Sequence, residues 1–366
     1  MKKSLFIHIG LPKTGTTVLQ STFKDLADNF RKENIEFVNF DSFAREIRLG
    51  KVPECKDFFR ELDEKLLDSY KVFLSSEFLT GMDSTSFNLV PVRKIAQCLK
   101  DAAGDFFDVK IILYLRRIDL WIESMYTQFI SDGGYLRFSE FMLEHKLEDF
   151  DYSNLIEGYE SIFGQDNIIL RIYDKKHLPE KDSLLKDFAE IIGSKYLAEV
   201  DLNSYSEKKS NSGFNSNAVE IARLCMPQAT RDEQKRIREV LQYSSRKIPF
   251  QKNAFFDMNE RRVYLEERMH SMSEICRKYF PDYKGNDIFS ELEDIQPVPQ
   301  FLSVEDAVRS ITFAILAPSE YEYIETLRTL QILYKIETGL KKSVLLKALM
   351  KMILRLFGIK DKEKSL

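Results

Sequence analysis

Short apolar runs alternate along the chain with longer stretches of helical periodicity. The short runs are rich in β-branched and aromatic residues, and several are apolar at consecutive positions, as strands buried on both faces of a parallel sheet are. Their alternation with helical stretches predicts a mostly parallel sheet with crossover helices. The predicted strands are Ser4–Gly10, Ile35–Phe40, Lys71–Ser76, Val109–Leu115 and Asn167–Tyr173.

Apolar residues at helical spacing follow the first and the fourth of these strands. One helix is predicted to begin near Thr16, and another to run from about Asp119 to Ile130. From Asn215 onward the periodicity is helical almost throughout, including a run over residues 259–279. The apolar face of the first helix comprises Leu19, Phe23, Leu26, Ala27 and Phe30. That of the second comprises Ile118, Trp121, Ile122, Met125 and Phe129.

These elements predict an α/β fold of three layers, resembling P-loop folds, in which helices flank a central, mostly parallel sheet. The stretch "DIQPVPQFLS" carries two prolines and indicates a surface connection. We therefore predict one α/β domain over residues 1–295, with a largely helical second half. Residues 296–366 are predicted to form a helical C-terminal extension.

Composition narrows the classes of function. The chain has 366 residues, of which 44% are hydrophobic and 31% charged, as in an ordinary globular protein. A net charge of -4 argues against a dedicated nucleic-acid binder. Neither a signal peptide nor a membrane span is recognisable, so a cytoplasmic location is expected. Four scattered cysteines lack C-x-x-C spacing and are expected to be free thiols: Cys55, Cys98, Cys225 and Cys276.

The segment "HIGLPKTGTTVLQ" after the first strand resembles a phosphate-binding loop with a displaced lysine. A Walker A loop reads G-x-x-x-x-G-K-[ST]. Gly10 and Gly15 keep the glycine spacing and Thr17 takes the last position. Thr16, however, stands where the lysine belongs, and the lysine is Lys13, inside the loop.

A strand that runs through a glycine turn into a helix points backbone N–H groups at one place, where the helix dipole also favours an anion. The hydroxyls of Thr16 and Thr17 and the Lys13 ammonium can bind the same anion. The full context of strand, loop and helix therefore predicts an anion site. Its residues are Pro12, Lys13, Thr14, Gly15, Thr16 and Thr17.

A P-loop kinase is one interpretation of this loop. It would need a carboxylate at a strand end to hold Mg²⁺. The strand Val109–Leu115 ends instead in Arg116 and Arg117, which favour a second anion. Glu77, after the strand Lys71–Ser76, keeps a kinase of a small molecule or sugar, using ATP and Mg²⁺, as an alternative.

The chain resembles the PAPS-dependent sulfotransferases, particularly bacterial and carbohydrate-modifying members, where PAPS is 3′-phosphoadenosine 5′-phosphosulfate. "PKTGTT" is similar to the family's 5′-phosphosulfate loop. "LRRIDLWIESMY" is similar to its second motif, an Arg at a strand end followed eight residues later by a Ser. The resemblance implies that Arg116 and Ser124 bind the 3′-phosphate. It leaves Arg117 open, because the family varies at that position.

The resemblance also implies a reaction: transfer of a sulfuryl group from PAPS to a hydroxyl or amino group, with no metal required. Lys13 would stabilise the charge of the transition state and Glu77 would be the general base. His8 is expected to pack within its strand. The implied acceptor is a carbohydrate or glycoconjugate, bound partly by loops in 41–60 and 130–150. A non-catalytic nucleotide-binding module is a second alternative.

The predicted extension contains a basic amphipathic segment over residues 339–360. Lys347, Lys351 and Arg355 line one face at a spacing of four residues, and the rest is largely apolar. Such a helix can lie on an anionic membrane or bind a protein partner, which would place the protein at the inner face of the membrane. Of the two, we favour a helix packed on the domain with a solvated basic edge.

Overall fold

The computed structural model describes residues 2–67, 70–81, 91–180, 182–199, 213–247 and 254–292. The predicted boundary at 295/296, the extension over 296–366 and its basic segment 339–360 lie outside the described residues. They stay predictions, as does a peripheral membrane or protein contact through that segment.

Five parallel strands form the central sheet: β1 (Lys3–His8), β2 (Ile35–Asn39), β3 (Lys71–Ser75), β4 (Phe107–Leu115) and β5 (Ile168–Ile172). Their order is β2-β3-β1-β4-β5, so β1 is central, between β3 and β4. In register, His8 of β1 pairs with Ser75 of β3 and with Ile112 of β4. All five predicted strands are confirmed, with ends within two residues of the prediction.

The helices of the described N-terminal half are α1 (Thr16–Asp25), α2 (Ala27–Lys32), α3 (Asp41–Arg48), α4 (Val52–Lys65), α5 (Val92–Ala103), α6 (Ile118–Ser131), α7 (Phe138–Glu144) and α8 (Ser153–Phe163). Those that follow are α9 (Ser183–Ile192), α10 (Lys195–Glu199), α11 (Ser216–Cys225), α12 (Arg231–Lys247), α13 (Met258–Glu267) and α14 (Met269–Tyr279). A one-turn 3₁₀ helix, Glu77–Thr80, follows β3 directly. The helices predicted after β1 and β4 begin at the expected places.

Two predicted helices are each divided by one residue. Leu26, with φ −103° and ψ 13°, separates α1 from α2, and Arg268, with φ −101° and ψ 2°, separates α13 from α14. The apolar face of the first pair nonetheless continues, because the rings of Phe23 and Phe30 stack at 4.5 Å across the break. Periodicity therefore predicted the buried face correctly but not the bend.

The sheet is covered on both faces. On one face an aromatic cluster joins α1, α2, α9 and the strands, and Phe188 of α9 lies 4.8 Å from Phe73 of β3. Side chains alternate along a strand, so Leu5 and Ile7 of β1 point to the opposite face, and they too are fully buried. There α5 packs on α4 and α8. The fold is thus α/β with three layers, as predicted.

The chain divides into two compact units. Within the described residues, the first comprises 2–125, 142–199 and 258–292, and contains the sheet. The second comprises 126–141, 213–247 and 254–257. Its core is aromatic: the ring of Tyr126 lies 5.3 Å from that of Phe138 and 4.7 Å from that of Phe255.

In the described ranges, no helix combines the length and the apolar character needed to cross a bilayer. All four cysteines are free thiols.

Candidate functional site

The predicted site residues lie at the carboxyl ends of three neighbouring strands. The anion loop follows β1, Glu77 follows β3, and Arg116 follows β4. The chain leaves β1 towards β2 and leaves β4 towards β5, in opposite directions along the sheet. In open α/β sheets a ligand crevice lies at the carboxyl ends of two such strands. The site therefore lies where this topology predicts a ligand.

The loop owes its shape to residues in the left-handed region of backbone conformation. Lys13 has φ 67° and Gly15 has φ 85°. A lysine in this region costs on the order of 1–2 kcal/mol of local backbone energy. Thr14 compensates in part, because its hydroxyl donates a 2.6 Å hydrogen bond to the Leu11 carbonyl. Turns of this kind turn successive N–H groups towards one concavity, which suits an anion.

The start of α1 carries positive potential. Gly15 is the N-cap and supplies no side-chain cap, and the first turn contains no acidic residue. The first N–H groups of a helix have no partner within the helix, and the macrodipole adds partial positive charge there. This end of α1 is therefore suited to an anion.

Both loop glycines lie where a side chain would collide with neighbours. A Cβ atom at Gly15 would stand 2.4 Å from Leu184 Cδ2 of α9. A Cβ atom at Gly10 would stand 3.0 Å from Thr16 Oγ1 and 3.4 Å from Glu77 Cγ. The loop thus packs against α9 on one side and approaches Glu77 on the other.

Glu77 is the carboxylate of the crevice. It opens the 3₁₀ turn after β3. Burial raises the pKa of Glu77 above its ordinary value, and the negative charge of Asp41 acts in the same direction. The Thr16 hydroxyl and the Lys13 ammonium partly offset this rise. The fold therefore places a cation, a hydroxyl and a carboxylate of raised pKa together, as expected from the ends of adjacent parallel strands.

The junction between β4 and α6 holds the loop. Arg116 Nη1 donates a 3.1 Å hydrogen bond to the Lys13 carbonyl, and Trp121 Nε1 donates one of 3.0 Å to the Pro12 carbonyl. Arg116 is itself held, because the Tyr152 hydroxyl donates to its carbonyl at 2.7 Å. Burial lowers the pKa of the Arg116 guanidinium, as expected for a cation drawn into the protein.

Trp121 is a residue of the site that the sequence analysis assigned only to an apolar helix face. Its ring is fully buried, which agrees with that assignment. A buried indole N–H nevertheless needs an acceptor, and here the acceptor belongs to the anion loop. Trp121 is the only tryptophan of the chain, and this is the only feature of the sequence that singles it out.

Arg117, which the resemblance left open, belongs to a buried ion-pair cluster. It donates to Asp119 at 2.7 Å and 3.0 Å and to the Ser290 carbonyl at 3.0 Å. Arg261 of α13 also pairs with Asp119 and, at 2.7 Å, with Glu123. Burial would raise the pKa of Asp119, but hydrogen bonds and charges of the two arginines outweigh it and hold that pKa low.

This ion-pair cluster contributes to the electrostatic environment of Arg116. Asp119 and Glu123 both exert an electrostatic influence on the Arg116 guanidinium. Because Arg117 and Arg261 pair with these carboxylates, the two negative charges are already balanced within the cluster. Arg116 can therefore serve an anion at the crevice in addition to its bond to the Lys13 carbonyl.

The remaining predicted residues lie where the sequence placed them. Ser124 is half-buried on α6, about two turns beyond Arg116, and Thr17 is exposed in the first turn of α1. His8 is fully buried in β1, and its Nδ1 shares a 3.0 Å hydrogen bond with Ser75 Oγ. Burial lowers the pKa of His8 to about 3, so its ring is neutral and packs within the strand, as expected.

Segment 41–60, predicted to supply loops, is mostly helical: α3 and α4 occupy it. Pro53 is compatible with this helix, because it lies in the first turn of α4, where a helix does not need its missing N–H. Over the part of the chain that the structure describes, no group of three or more His, Cys, Asp or Glu side chains is arranged to hold a metal ion.

No family model matches the chain. Over 191 residues it is 30% identical to an uncharacterized protein of Archaeoglobus fulgidus. That match covers 50% of this chain and 49% of the relative, so the chain spans about half the length of this curated relative. A crystal structure of a sulfotransferase from Alicyclobacillus acidocaldarius is similar with 15% sequence identity and a TM-score of 0.37, over 64% of this chain and 99% of that one. A superposition this loose carries no argument about activity.

Proposed function

We propose that this protein is a sulfotransferase that moves a sulfuryl group from PAPS to a hydroxyl or amino group of a carbohydrate or glycoconjugate. One observation carries the proposal: the start of α1, Lys13 and Glu77 lie together at the carboxyl ends of β1 and β3. The anion-binding elements suit the donor, and the adjacent carboxylate suits deprotonation of an acceptor.

The site residues suit a nucleotide that carries phosphate groups at both the 5′ and the 3′ positions of its ribose. The loop Pro12–Thr17 and the first N–H groups of α1 would bind the 5′-phosphosulfate. Arg116 and Ser124 would bind the 3′-phosphate, as the sequence resemblance implies. Because ATP has no 3′-phosphate, these two residues would also distinguish PAPS from ATP.

PAPS supplies an activated sulfuryl group, and the protein's residues would manage the charge and the proton. Glu77 would accept the proton of the acceptor hydroxyl as its oxygen bonds to sulfur. Lys13 would stabilise the negative charge on the phosphate oxygen as the bond between that oxygen and sulfur breaks. A preorganised donor of this kind is worth about 2.7–4 kcal/mol. The raised pKa of Glu77 suits a general base, because it makes the carboxylate more basic.

A P-loop kinase is the second candidate, and the position of Glu77 favours it, because Glu77 follows β3, the strand next to β1. A carboxylate at the end of a neighbouring strand helps to hold Mg²⁺ in such enzymes. Against it, the cation is Lys13 rather than residue 16, and β4 ends in Arg116 and Arg117. A non-catalytic nucleotide-binding module is the third candidate.

A two-label acceptor screen separates the three candidates. Sulfur-labelled PAPS and γ-labelled ATP with Mg²⁺ are each incubated with panels of glycans, glycolipids and small sugars. We expect label transfer from PAPS alone, and a loss of about 10²–10³-fold on Lys13→Ala substitution. Lys2→Ala, which removes an exposed lysine outside the crevice, is the control. Transfer from ATP would establish the kinase, and binding of PAPS without transfer to any acceptor would favour the non-catalytic module.

A further inference from the structure

Helix α3 contacts the turn that carries Glu77. Ser76 Oγ donates a 2.8 Å hydrogen bond to Asp41 Oδ1, at the start of α3. One helical turn later, the Arg45 guanidinium lies 4.5 Å from the centre of the Phe78 ring. The residues on both sides of Glu77 are therefore bound to the same helix. The proposed function assigns no role to α3.

Asp41 is held in place at the start of α3. It lies in the first turn of α3, where the helix dipole favours a carboxylate. Its backbone N–H donates to Asn39 Oδ1 at 3.2 Å, which fixes the turn between β2 and α3. The Asp41 carboxylate is thus presented to Ser76 by a helix and a turn.

We propose that Asp41 is a positioning residue for Glu77: it orients the turn through Ser76 and holds a second negative charge near the Glu77 carboxylate. Glu77 then takes up the acceptor's proton more readily than it would without that charge. The inference rests on the proposed function for its catalytic consequence. Its electrostatic content stands without any acceptor.

The groups that act on Glu77 come from each element around it. Burial raises the pKa of Glu77 and Asp41 of α3 raises it further, whereas Thr16 of α1 and Lys13 of the loop lower it. Behind the turn, the Tyr159 hydroxyl of α8 donates to the Leu79 carbonyl at 2.6 Å. Asp41 is thus the negative charge that opposes Lys13 at this carboxylate.

The direct test is a titration of the full chain with ¹³C-labelled glutamate carboxyl groups, followed by NMR, with the Glu77 signal assigned from Glu77→Gln. Asp41→Asn removes the charge and keeps an oxygen for Ser76. We expect the Glu77 midpoint to move to lower pH in Asp41→Asn. Asp57→Asn removes a similar charge from the exposed face of α4 and should leave the midpoint in place.

Ser76→Ala tests the orienting part of the proposal, because it breaks the hydrogen bond and leaves the Asp41 charge. With PAPS and an acceptor identified, we expect kcat to fall several-fold in Ser76→Ala while the KM for PAPS is unchanged. In Asp41→Asn the acid limb of the profile of kcat against pH should also move to lower pH. A Glu77 midpoint unchanged in Asp41→Asn overturns the inference. Absence of any transfer by the wild type, with the midpoint shifted, counts against the proposed function and not against the inference.

Discussion

Glu77 is held in a state that lowers the stability of the fold, and in the proposed reaction the same state makes it a better base. Burial raises its pKa, so the folded protein holds this proton more tightly than the unfolded chain does. At pH values above that raised pKa, the charged carboxylate therefore lowers the free energy of unfolding. Below the pKa of the unfolded chain this loss disappears. Active-site groups commonly combine function with such a cost.

We expect Glu77→Gln to lower transfer activity by about 10²–10⁴-fold, because the general base is lost. The same substitution should make the protein more stable at neutral pH, since no buried charge remains. A transfer assay measures the activity, and urea unfolding at neutral pH and again below about pH 4 measures the stability. The gain should vanish at the lower pH, where Glu77 is neutral in folded and unfolded states alike. A destabilised Glu77→Gln protein at neutral pH would contradict this description of the carboxylate.

His8 carries a stability dependence of the opposite sign. Burial lowers its pKa from the ordinary 6.5 to about 3. Below pH 6.5 the unfolded chain takes up a proton that the folded protein excludes, so stability falls as the pH drops towards about 3. The greatest slope from one such group is about 1.4 kcal/mol per pH unit.

Replacement of His8 by Asn removes the titrating group and keeps a polar side chain near Ser75. We expect a lower stability at neutral pH, because ring volume is lost from the core, but a shallower decline in acid. The slope of unfolding free energy against pH between about 6 and 4 is the measurement. His270→Asn, at an exposed position of α14, should leave the slope unchanged. Equal slopes for His8→Asn and wild type would show that the His8 ring is not held neutral.

At the scale of elements, buried ion pairs join α13 to α6, the helix that carries Ser124 of the second predicted motif. Arg261 pairs with Asp119 and Glu123 of α6, and all three side chains are buried. Removing one partner of such a cluster leaves uncompensated charge in the interior. Arg261→Met should therefore cost about 3–5 kcal/mol of unfolding free energy.

Arg262 provides the matched control, because it is the next residue of the same helix and is exposed. Arg262→Met should change stability by less than about 0.5 kcal/mol. Chemical denaturation of both variants makes the comparison. Similar losses for both variants would mean that the buried pairing adds nothing beyond the packing of α13.

The junction of loop, α1 and α9 depends on Gly15. Its φ of 85° disfavours a side chain, and a Cβ atom would lie 2.4 Å from Leu184. Gly50 has nearly the same φ, 80°, and the nearest atom to its Cβ position is Lys94 Cε at 4.0 Å. Alanine at either site pays for backbone strain of about 1 kcal/mol, and Gly15→Ala should add about 1–3 kcal/mol from the collision.

Thermal unfolding of Gly15→Ala and Gly50→Ala separates the collision from the backbone strain. We also expect Gly15→Ala alone to weaken binding of PAP, the desulfated nucleotide, because the loop must move to relieve the collision. Equal stability losses and equal PAP affinities would show that the loop does not depend on close packing against α9.

Across the whole molecule, the sequence predicted the strands well because those buried on both faces are apolar nearly throughout. Glu77, Lys13 and Arg116 could be expected to converge because they follow strands, and parallel strands end at one edge. The buried cluster around Arg117 could not be predicted, since Arg261, which shares Asp119 with Arg117, lies far along the chain. Trp121 was recognised only as apolar, because periodicity does not show where a buried N–H finds its acceptor.

The preference of the site for PAP over ADP with Mg²⁺ tests the proposed function most directly, and its measurement needs no acceptor. The measurement is calorimetric titration of the full chain with PAP and, separately, with ADP and Mg²⁺, repeated for Arg116→Ala. We predict that PAP binds the wild type at least about tenfold more tightly than ADP–Mg²⁺, a difference of about 1.4 kcal/mol, and that Arg116→Ala removes the preference. Tighter binding of ADP–Mg²⁺ than of PAP by the wild type would contradict the account.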